Sequence, residues 1–208
     1  VPVLMHDWTV DRTTNGNGPV WAYTYDKLAT LDAGSWYAPE FADTRVPTLV
    51  EFLAIFAPST KRAIIELKGS WTAEQSEVVA LQIRAAGVEA RVLLASFDIM
   101  TLKGLQEVAP SLPRAIIART VVGDPAKLAA VCGAVAIITS HAFVSDTPDV
   151  VAQIHAAGLA VMLYTLNNSE SWSSATALGV DGIITDKPDQ LGKWLSSETS
   201  VDSAVESS

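Results

Sequence analysis

A chain of 208 residues with 49% hydrophobic and 18% charged residues can fold around one full-sized core. Its 14 Lys and Arg against 23 Asp and Glu give a net charge of −9, which argues against a nucleic-acid partner because such proteins usually carry a basic excess. No apolar stretch is long enough to span a bilayer, so no transmembrane segment is expected, and the single cysteine, Cys132, excludes an internal disulfide.

The first sixty residues contain few patterns typical of regular structure. The apolar run 2–5 predicts a short strand, and two short helices are predicted at 25–31 and 49–57. The remainder of residues 8–60 is expected to form extended loops.

From residue 61 onward, short runs rich in Val and Ile alternate with longer amphipathic segments. The short runs predict six strands, at 63–67, 92–95, 114–118, 134–139, 160–165 and 182–185. The longer segments predict six helices, at 73–86, 99–108, 125–131, 147–157, 170–178 and 188–195. Apolar strands that alternate with helices indicate an α/β fold, in which helices cover a parallel sheet. Because the pattern never switches, a (β/α)8 TIM barrel is favoured over an open sheet.

A complete barrel of this kind has eight strands, and the sequence supplies six together with the short run 2–5. We therefore expect a barrel domain over residues 1–195 that lacks its first one to two strand–helix units. Residues 196–208 are rich in Ser, Glu, Asp and Thr, which predicts a disordered tail.

Active sites of barrels lie where strands end and loops begin. The chemically capable residues at such positions are His6, Glu66, Lys68, Ser96, Phe97, Arg119, Ser140, His141, Tyr164, Thr165, Asn167, Asp186 and Lys187. Glu66 and Lys68 are two positions apart on a strand, so both are expected to point into the barrel. They form either an ion pair of structural value, or a cation ligand beside an ammonium that holds a substrate oxygen. His6 is either a structural residue or a group that transfers a proton near neutral pH.

Six segments occur in an unbroken order that resembles glycerophosphodiester phosphodiesterases. The segment HDWTVDRTTNGNG at 6–18 resembles the second histidine motif of that family, and VPTLVE at 46–51 resembles its PTLxE signature. IELK at 65–68 resembles its xExK strand, and ASFD at 95–98 resembles the next strand end. YTLN at 164–167 and GVDGIITDKP at 179–188 resemble its last two strands. The first and last of these motifs together are highly specific.

The resemblance implies a phosphoric diester hydrolase that cleaves small-molecule glycerophosphodiesters to an alcohol and sn-glycerol 3-phosphate. It also implies two histidines as general acid and base, and a divalent cation, calcium or magnesium, held by three carboxylates. On this chain the resemblance makes His6 the second catalytic histidine, Glu66 a metal ligand and Lys68 a phosphate contact. Tyr164, where the family usually has Trp, and Phe97 are expected to line the substrate pocket.

The first histidine motif of the family and its Glu-x-Asp pair have no counterpart in this sequence. Both belong before Val1, so the sequence resembles a member truncated at its N-terminus, and we expect it to be weakly active or inactive alone. One carboxylate is a poor site for a cation that takes six or more oxygen ligands.

Two other functions stay open from the sequence. One is a related barrel phosphodiesterase, similar to sphingomyelinase D or to phosphatidylinositol phospholipases, although no basic amphipathic segment is present for a membrane surface. The other is a non-catalytic protein that binds phosphodiesters or a partner protein. The sequence leaves open whether the protein is cytoplasmic or secreted, and leaves open its oligomeric state.

Overall fold

The computed structural model describes the chain as far as Val205, with side chains described as far as Ser197. The chain divides into two compact units. The first unit contains Val1–Arg62 and Glu77–Arg91, and the second contains Ala63–Ser76 and the chain from Val92 onward. The expectation of one barrel domain over residues 1–195 stays a prediction. Within the described part of the chain, no helix has the length and apolar character needed to cross a bilayer.

The first unit is built mainly from loops around a small apolar cluster. It contains the helices α1 (Tyr25–Leu28) and α2 (Leu49–Phe56), the part of the helix Ala73–Ala85 that begins at Glu77, and short 3-10 turns at Val20–Ala22, Pro39–Phe41 and Glu89–Arg91. One buried apolar cluster in it consists of Val10, Leu28 and Val46, packed against partly buried apolar neighbours. Apolar residues from separate parts of these loops therefore pack against one another.

Helix α2 has a well-defined cap at each end. At its start, the Thr48 hydroxyl accepts from the Glu51 amide, and Glu51 Oε2 accepts from the Thr48 amide at 2.7 Å. This reciprocal capping box satisfies two amides that have no partner within the helix. Beyond its C-terminus, the Arg91 guanidinium donates to the carbonyls of Ala57 at 2.8 Å and Ser59 at 2.6 Å. The PTLxE signature is therefore a helix start in this chain.

The second unit contains a sheet of six parallel strands. These are β1 (Ala63–Glu66), β2 (Val92–Ser96), β3 (Arg114–Ala118), β4 (Ala136–Ser140), β5 (Ala160–Tyr164) and β6 (Gly182–Ile183). Each strand pairs in parallel with the next one along the chain, in the order β1-β2-β3-β4-β5-β6. An open doubly wound sheet reverses its strand order at a switch point, whereas a barrel winds in one direction. The sheet therefore confirms the predicted α/β fold of the barrel type.

The helices follow the strands in turn. They are α3 (Ala73–Ala85), α4 (Ile99–Val108), α5 (Pro125–Ala130), α6 (His141–Asp146), α7 (Asp149–Ala156), α8 (Ser169–Ala177) and α9 (Pro188–Val205). All six strands and six helices predicted after residue 61 are present, and α4 has the predicted bounds. Residues 196–205, predicted to begin a disordered tail, have helical backbone within α9, and residues 206–208 lie outside the described residues.

Two predictions of local structure were wrong. The run 2–5 is not a strand of the parallel sheet: Val3 forms a single antiparallel bridge with Thr48, and the Leu4 amide donates to the Pro47 carbonyl. This run therefore pairs with the loop before α2. Helix α6 was missed, because it follows β4 directly and its six residues, with one buried member, Val144, show no apolar period. It begins where the Ser140 hydroxyl accepts from the Phe143 amide.

One face of the sheet carries a continuous apolar cluster. Its buried members are Ala95, Ala115, Ile117, Ala136 and Ile138, and Leu93, Ala160, Met162, Tyr164 and Ile184 pack against them. These residues alternate along each strand, as side chains on one face of a sheet must. Residues that continue the same alternation at the carboxyl ends of the strands lie on the same face as this cluster.

Candidate active site

A row of polar and aromatic residues follows the apolar cluster at the carboxyl ends of the strands. We call this row the carboxyl edge, and it consists of Glu66, Lys68, Phe97, Arg119 and Tyr164. Parallel strands all end at the same side of a sheet, so their last side chains share one edge. Each position belongs to the second unit and can be placed from strand register.

Glu66 and Lys68 form an ion pair at the end of β1. Glu66 is in register with Ala95 of the apolar cluster, which places Glu66 on the same face of the sheet. The Lys68 ammonium donates to Glu66 Oε1 at 2.9 Å, and the two side chains are 25% and 27% exposed. A partly buried pair is screened less by water and salt than a surface pair. The carboxylate therefore holds the ammonium in a defined place.

Hydrogen bonds from neighbouring segments fix the loop that carries Lys68. The Ser96 hydroxyl donates to the Leu67 carbonyl at 2.7 Å, and the Trp71 indole donates to the Lys68 carbonyl at 2.8 Å. The Trp71 amide donates to the Thr101 hydroxyl at 2.9 Å. Lys68 therefore lies on backbone that is tied to β2 and α4.

Tyr164 ends β5, and its hydroxyl oxygen is buried. Within the described residues, its Oη makes no hydrogen bond. Burial raises the pKa of Tyr164; the positive charge of Arg119 opposes that shift, and the negative charge of Glu66 adds to it. The phenol therefore lies within electrostatic reach of both charges.

Arg119 and Phe97 are the exposed members of the carboxyl edge. Arg119 lies two positions after Ile117, and its guanidinium has no ion pair or hydrogen bond among the residues that the structure describes. Phe97 follows β2 and is half exposed. The next residue, Asp98, caps α4 by accepting from the Thr101 amide at 2.8 Å.

Beyond β5 and β6, polar side chains connect the two strand ends. The Asn167 amide group donates to Asp186 Oδ2 at 2.8 Å, and its oxygen accepts from the Thr185 hydroxyl at 3.0 Å. The same oxygen accepts from the Asp186 amide at 2.9 Å. The sequence identified Asn167 and Asp186 as candidates at strand ends, and the structure assigns them mutual hydrogen bonds.

His6 lies in the first unit and is held by charged neighbours. His6 Nδ1 is 2.8 Å from Asp7 Oδ1, and Arg12 donates to both Asp7 oxygens, at 2.6 and 3.0 Å. Arg12, and after it His6, hold the pKa of Asp7 well below its usual range. The His6 side chain is 82% exposed. An ionised carboxylate therefore orients an imidazole that is open to solvent.

The role of Asp7 and Arg12 was missed from the sequence. The two residues are five positions apart in a loop, where no helical or strand period places them together. Arg12 also lies over the Trp36 ring, 5.9 Å from its centre. In the sequence, the one indication that Asp7 and Arg12 act together was that both lie in the segment 6–18, which resembles the second histidine motif of the family.

The motifs and this geometry agree with a match to a known family. Residues 1–190 match the Glycerophosphoryl diester phosphodiesterase family. The chain belongs to this family. The predicted family is therefore confirmed, and with it the predicted enzyme class, phosphoric diester hydrolase.

Individual family members match over most of the chain. YhdW of Bacillus subtilis (strain 168) is 34% identical over 196 residues, covering 92% of this chain and 79% of that protein. The glycerophosphodiester phosphodiesterase of Caldanaerobacter subterraneus is 31% identical over 192 residues, covering 91% and 78%. The crystal structure of glycerophosphodiester phosphodiesterase from Agrobacterium tumefaciens str. C58 has a TM-score of 0.76 at 30% identity, covering 90% and 78%.

The residues present do not complete a metal site. The family resemblance implies a divalent cation, yet no group of three or more His, Cys, Asp or Glu side chains that could hold a metal occurs among the described residues. Glu66 offers one carboxylate, and that carboxylate already accepts from Lys68. Hard cations take six or more oxygen ligands, so this donor set is too small by itself.

Proposed function

We propose that this chain hydrolyses glycerophosphodiesters to an alcohol and sn-glycerol 3-phosphate. The observation that carries the proposal is the Glu66–Lys68 ion pair on the cluster-bearing face of the sheet, at the carboxyl edge. Membership of the family supplies the reaction class. Active sites of barrel enzymes lie at this edge, which supports the placement.

Lys68 is proposed to hold the phosphoryl group. An ammonium donates three hydrogen bonds and binds phosphate oxygens as a point charge. Glu66 keeps the ammonium in place, 2.9 Å from its own oxygen. Tyr164 and the half-exposed Phe97 are proposed to line the pocket for the organic groups of the substrate.

His6 is proposed to move one proton. With Nδ1 protonated and donating to ionised Asp7, the exposed Nε2 is the atom that exchanges a proton with the substrate. In the reaction, a water oxygen attacks phosphorus and the bond from phosphorus to the alcohol oxygen breaks. The leaving alcohol oxygen takes up a proton, and water loses one. Asp7 stabilises the charged imidazole, as carboxylates do in other His-dependent hydrolases.

Glu66 is also proposed as one ligand of the divalent cation that the family resemblance implies, calcium or magnesium. Such an ion would stabilise the negative charge that develops on the phosphoryl oxygens during the reaction. Because the described residues form no cluster of three or more ligands, no step of the proposal passes through the ion.

The test is release of glycerol 3-phosphate from glycerophosphocholine by the 208-residue chain, with and without calcium or magnesium. We expect only slow release by the native chain, because its described donor set is too small to hold a cation by itself, and a further fall of about 100-fold for His6→Ala. His155→Ala is the matched control, because His155 Nε2 also pairs with a carboxylate, that of Asp181, at 2.9 Å. No release under any condition, or an equal loss in both variants, would contradict the proposal.

A second candidate function is binding of phosphodiesters without turnover. The observation in its favour is the lack of a three-ligand metal group among the described residues. Calorimetry with glycerol 3-phosphate distinguishes the two: binding by a chain that releases no product favours this second function.

A further inference from the structure

Arg119 is a cation at the carboxyl edge that the proposed reaction does not use. Its carbonyl accepts from the Thr139 hydroxyl at 3.3 Å and from the Ser140 hydroxyl at 2.9 Å. Ser140 is in register with Tyr164 on the neighbouring strand. Arg119, Ser140 and Tyr164 therefore form a short row across the ends of β3, β4 and β5.

The Tyr164 hydroxyl needs an acceptor that the described protein does not provide. Its Oη is buried and makes no hydrogen bond with the described residues. A buried hydroxyl without a partner costs free energy, and nearly all such groups in proteins are satisfied by protein, water or ligand. The strongest acceptor for a phenol is an anionic oxygen.

The charges around this hydroxyl favour an anion. Glu66 is already paired with Lys68, whereas Arg119 has no anionic partner within the described part of the chain. The guanidinium carries five N–H donors in a planar fork that matches phosphate oxygens. The guanidinium fork and the phenol lie two strands apart, at the ends of β3 and β5, and on the same face of the sheet, and both donate to anionic oxygens, as one phosphate group requires.

We propose that Arg119 and Tyr164 Oη form an anion subsite that binds the phosphate of the substrate and of the product, beside Lys68. The inference rests on the proposed function, because it assigns two further contacts to the same phosphoryl group. Tyr164 thereby acts as a hydrogen-bond donor to an oxygen, in addition to lining the pocket. Arg119 supplies the charge that makes this phosphate contact strong.

The test is calorimetric titration of the full 208-residue chain with inorganic phosphate and, separately, with glycerol 3-phosphate. Arg119→Gln is expected to weaken both affinities about tenfold, the usual effect of losing a charged hydrogen bond. Arg62→Gln is the control, since Arg62 is exposed and precedes β1, at the opposite end of that strand. Unchanged affinity in Arg119→Gln, or no binding of phosphate to the native chain at millimolar concentration, would overturn the subsite.

Tyr164→Phe separates a ligand contact from a structural role. Because the hydroxyl has no described partner, its removal is expected to leave the thermal midpoint unchanged or to raise it. The affinity for glycerol 3-phosphate is expected to fall about fivefold, with KM rising more than kcat falls. A lower thermal midpoint with unchanged affinity would show a structural hydroxyl and overturn the inference.

Failure of this inference and failure of the proposed function give different results. The subsite is wrong and the function stands if the native chain releases glycerol 3-phosphate, and Arg119→Gln and Tyr164→Phe have the same KM for glycerophosphocholine as the native chain. If no release occurs but phosphate binds and Arg119→Gln weakens it, the subsite stands and the function is wrong.

Discussion

The two regions that carry the candidate residues hold their charges in different ways. In the first unit, His6 is 82% exposed and Arg12 is 57% exposed around Asp7, all on loop backbone. In the second unit, Glu66 and Lys68 are about three-quarters buried, and strand register places Glu66. The exposed group is therefore expected to matter for reactivity, and the buried pair for both reactivity and stability.

Lys68→Met is expected to have the largest combined effect on activity and stability. It removes the proposed phosphate contact and leaves the Glu66 carboxylate, 27% exposed, without its cation. We expect kcat/KM to fall about 100-fold, and the free energy of unfolding to fall by about 1–2 kcal/mol, between the values for surface and buried pairs. Product release and urea unfolding measure the two quantities. Lys193→Met, at an exposed position on α9, is the control, and equal behaviour of both variants would contradict this prediction.

Asp7→Asn tests the exposed charges of the first unit by themselves, because it leaves the Glu66–Lys68 pair of the second unit unchanged. We expect the rate to fall about tenfold, since the imidazole loses the carboxylate that orients it. The free energy of unfolding should change by less than about 0.5 kcal/mol, as is usual for exposed pairs. Steady-state kinetics and urea unfolding, with Asp26→Asn from the same unit as control, measure both. A large loss of stability would show that the loop depends on this carboxylate.

Thr48→Ala tests whether a family motif in the first unit is structural. The change removes the hydroxyl that caps α2 and is expected to lower the free energy of unfolding by about 1 kcal/mol. The KM for glycerophosphocholine should not change. Thr60→Ala, at an exposed position of the same unit whose side chain makes no hydrogen bond with the described residues, should cost less than about 0.5 kcal/mol. A changed KM in Thr48→Ala would give the motif a role in binding.

The smallest expected effect concerns stability in acid. The pKa of Asp7 is lowered in the folded chain by Arg12 first and then by His6. A carboxyl group with a lowered folded pKa stabilises the fold above its unfolded pKa of about 4, and loses that contribution as the pH falls toward the folded value. The native chain should therefore lose more thermal stability than Asp7→Asn between about pH 5 and pH 2. Parallel curves for the two proteins would contradict this prediction.

Much of the second unit could be predicted because its signals are local and repeated. Runs of Val and Ile mark each strand, and their regular alternation with helices indicates a sheet wound in one direction. The spacing of Glu66 and Lys68 on a strand likewise predicts that they share a face, which their ion pair satisfies.

The features that could not be predicted depend on contacts between residues whose spacing follows no helical or strand period. Asp7 and Arg12 meet through a loop, and the run 2–5 pairs with the loop before α2. The neighbourhood of Arg119 and Tyr164 requires the register of three strands, which side-chain patterns do not fix to the residue. The individual roles of His6, Glu66, Lys68, Phe97 and Tyr164 stay predictions until variants are assayed.

The contacts of Arg91 have a consequence for the order of folding. The first unit is interrupted in sequence, and the guanidinium that closes the end of α2 comes more than thirty residues after that helix. During synthesis, residues 1–62 emerge from the ribosome before this side chain exists. Contacts between distant parts of a chain form late, because closing a long loop costs entropy. The hydrogen bonds beyond the C-terminus of α2 therefore form only once the segment that ends at Arg91 has been made, after β1 and α3 have been translated.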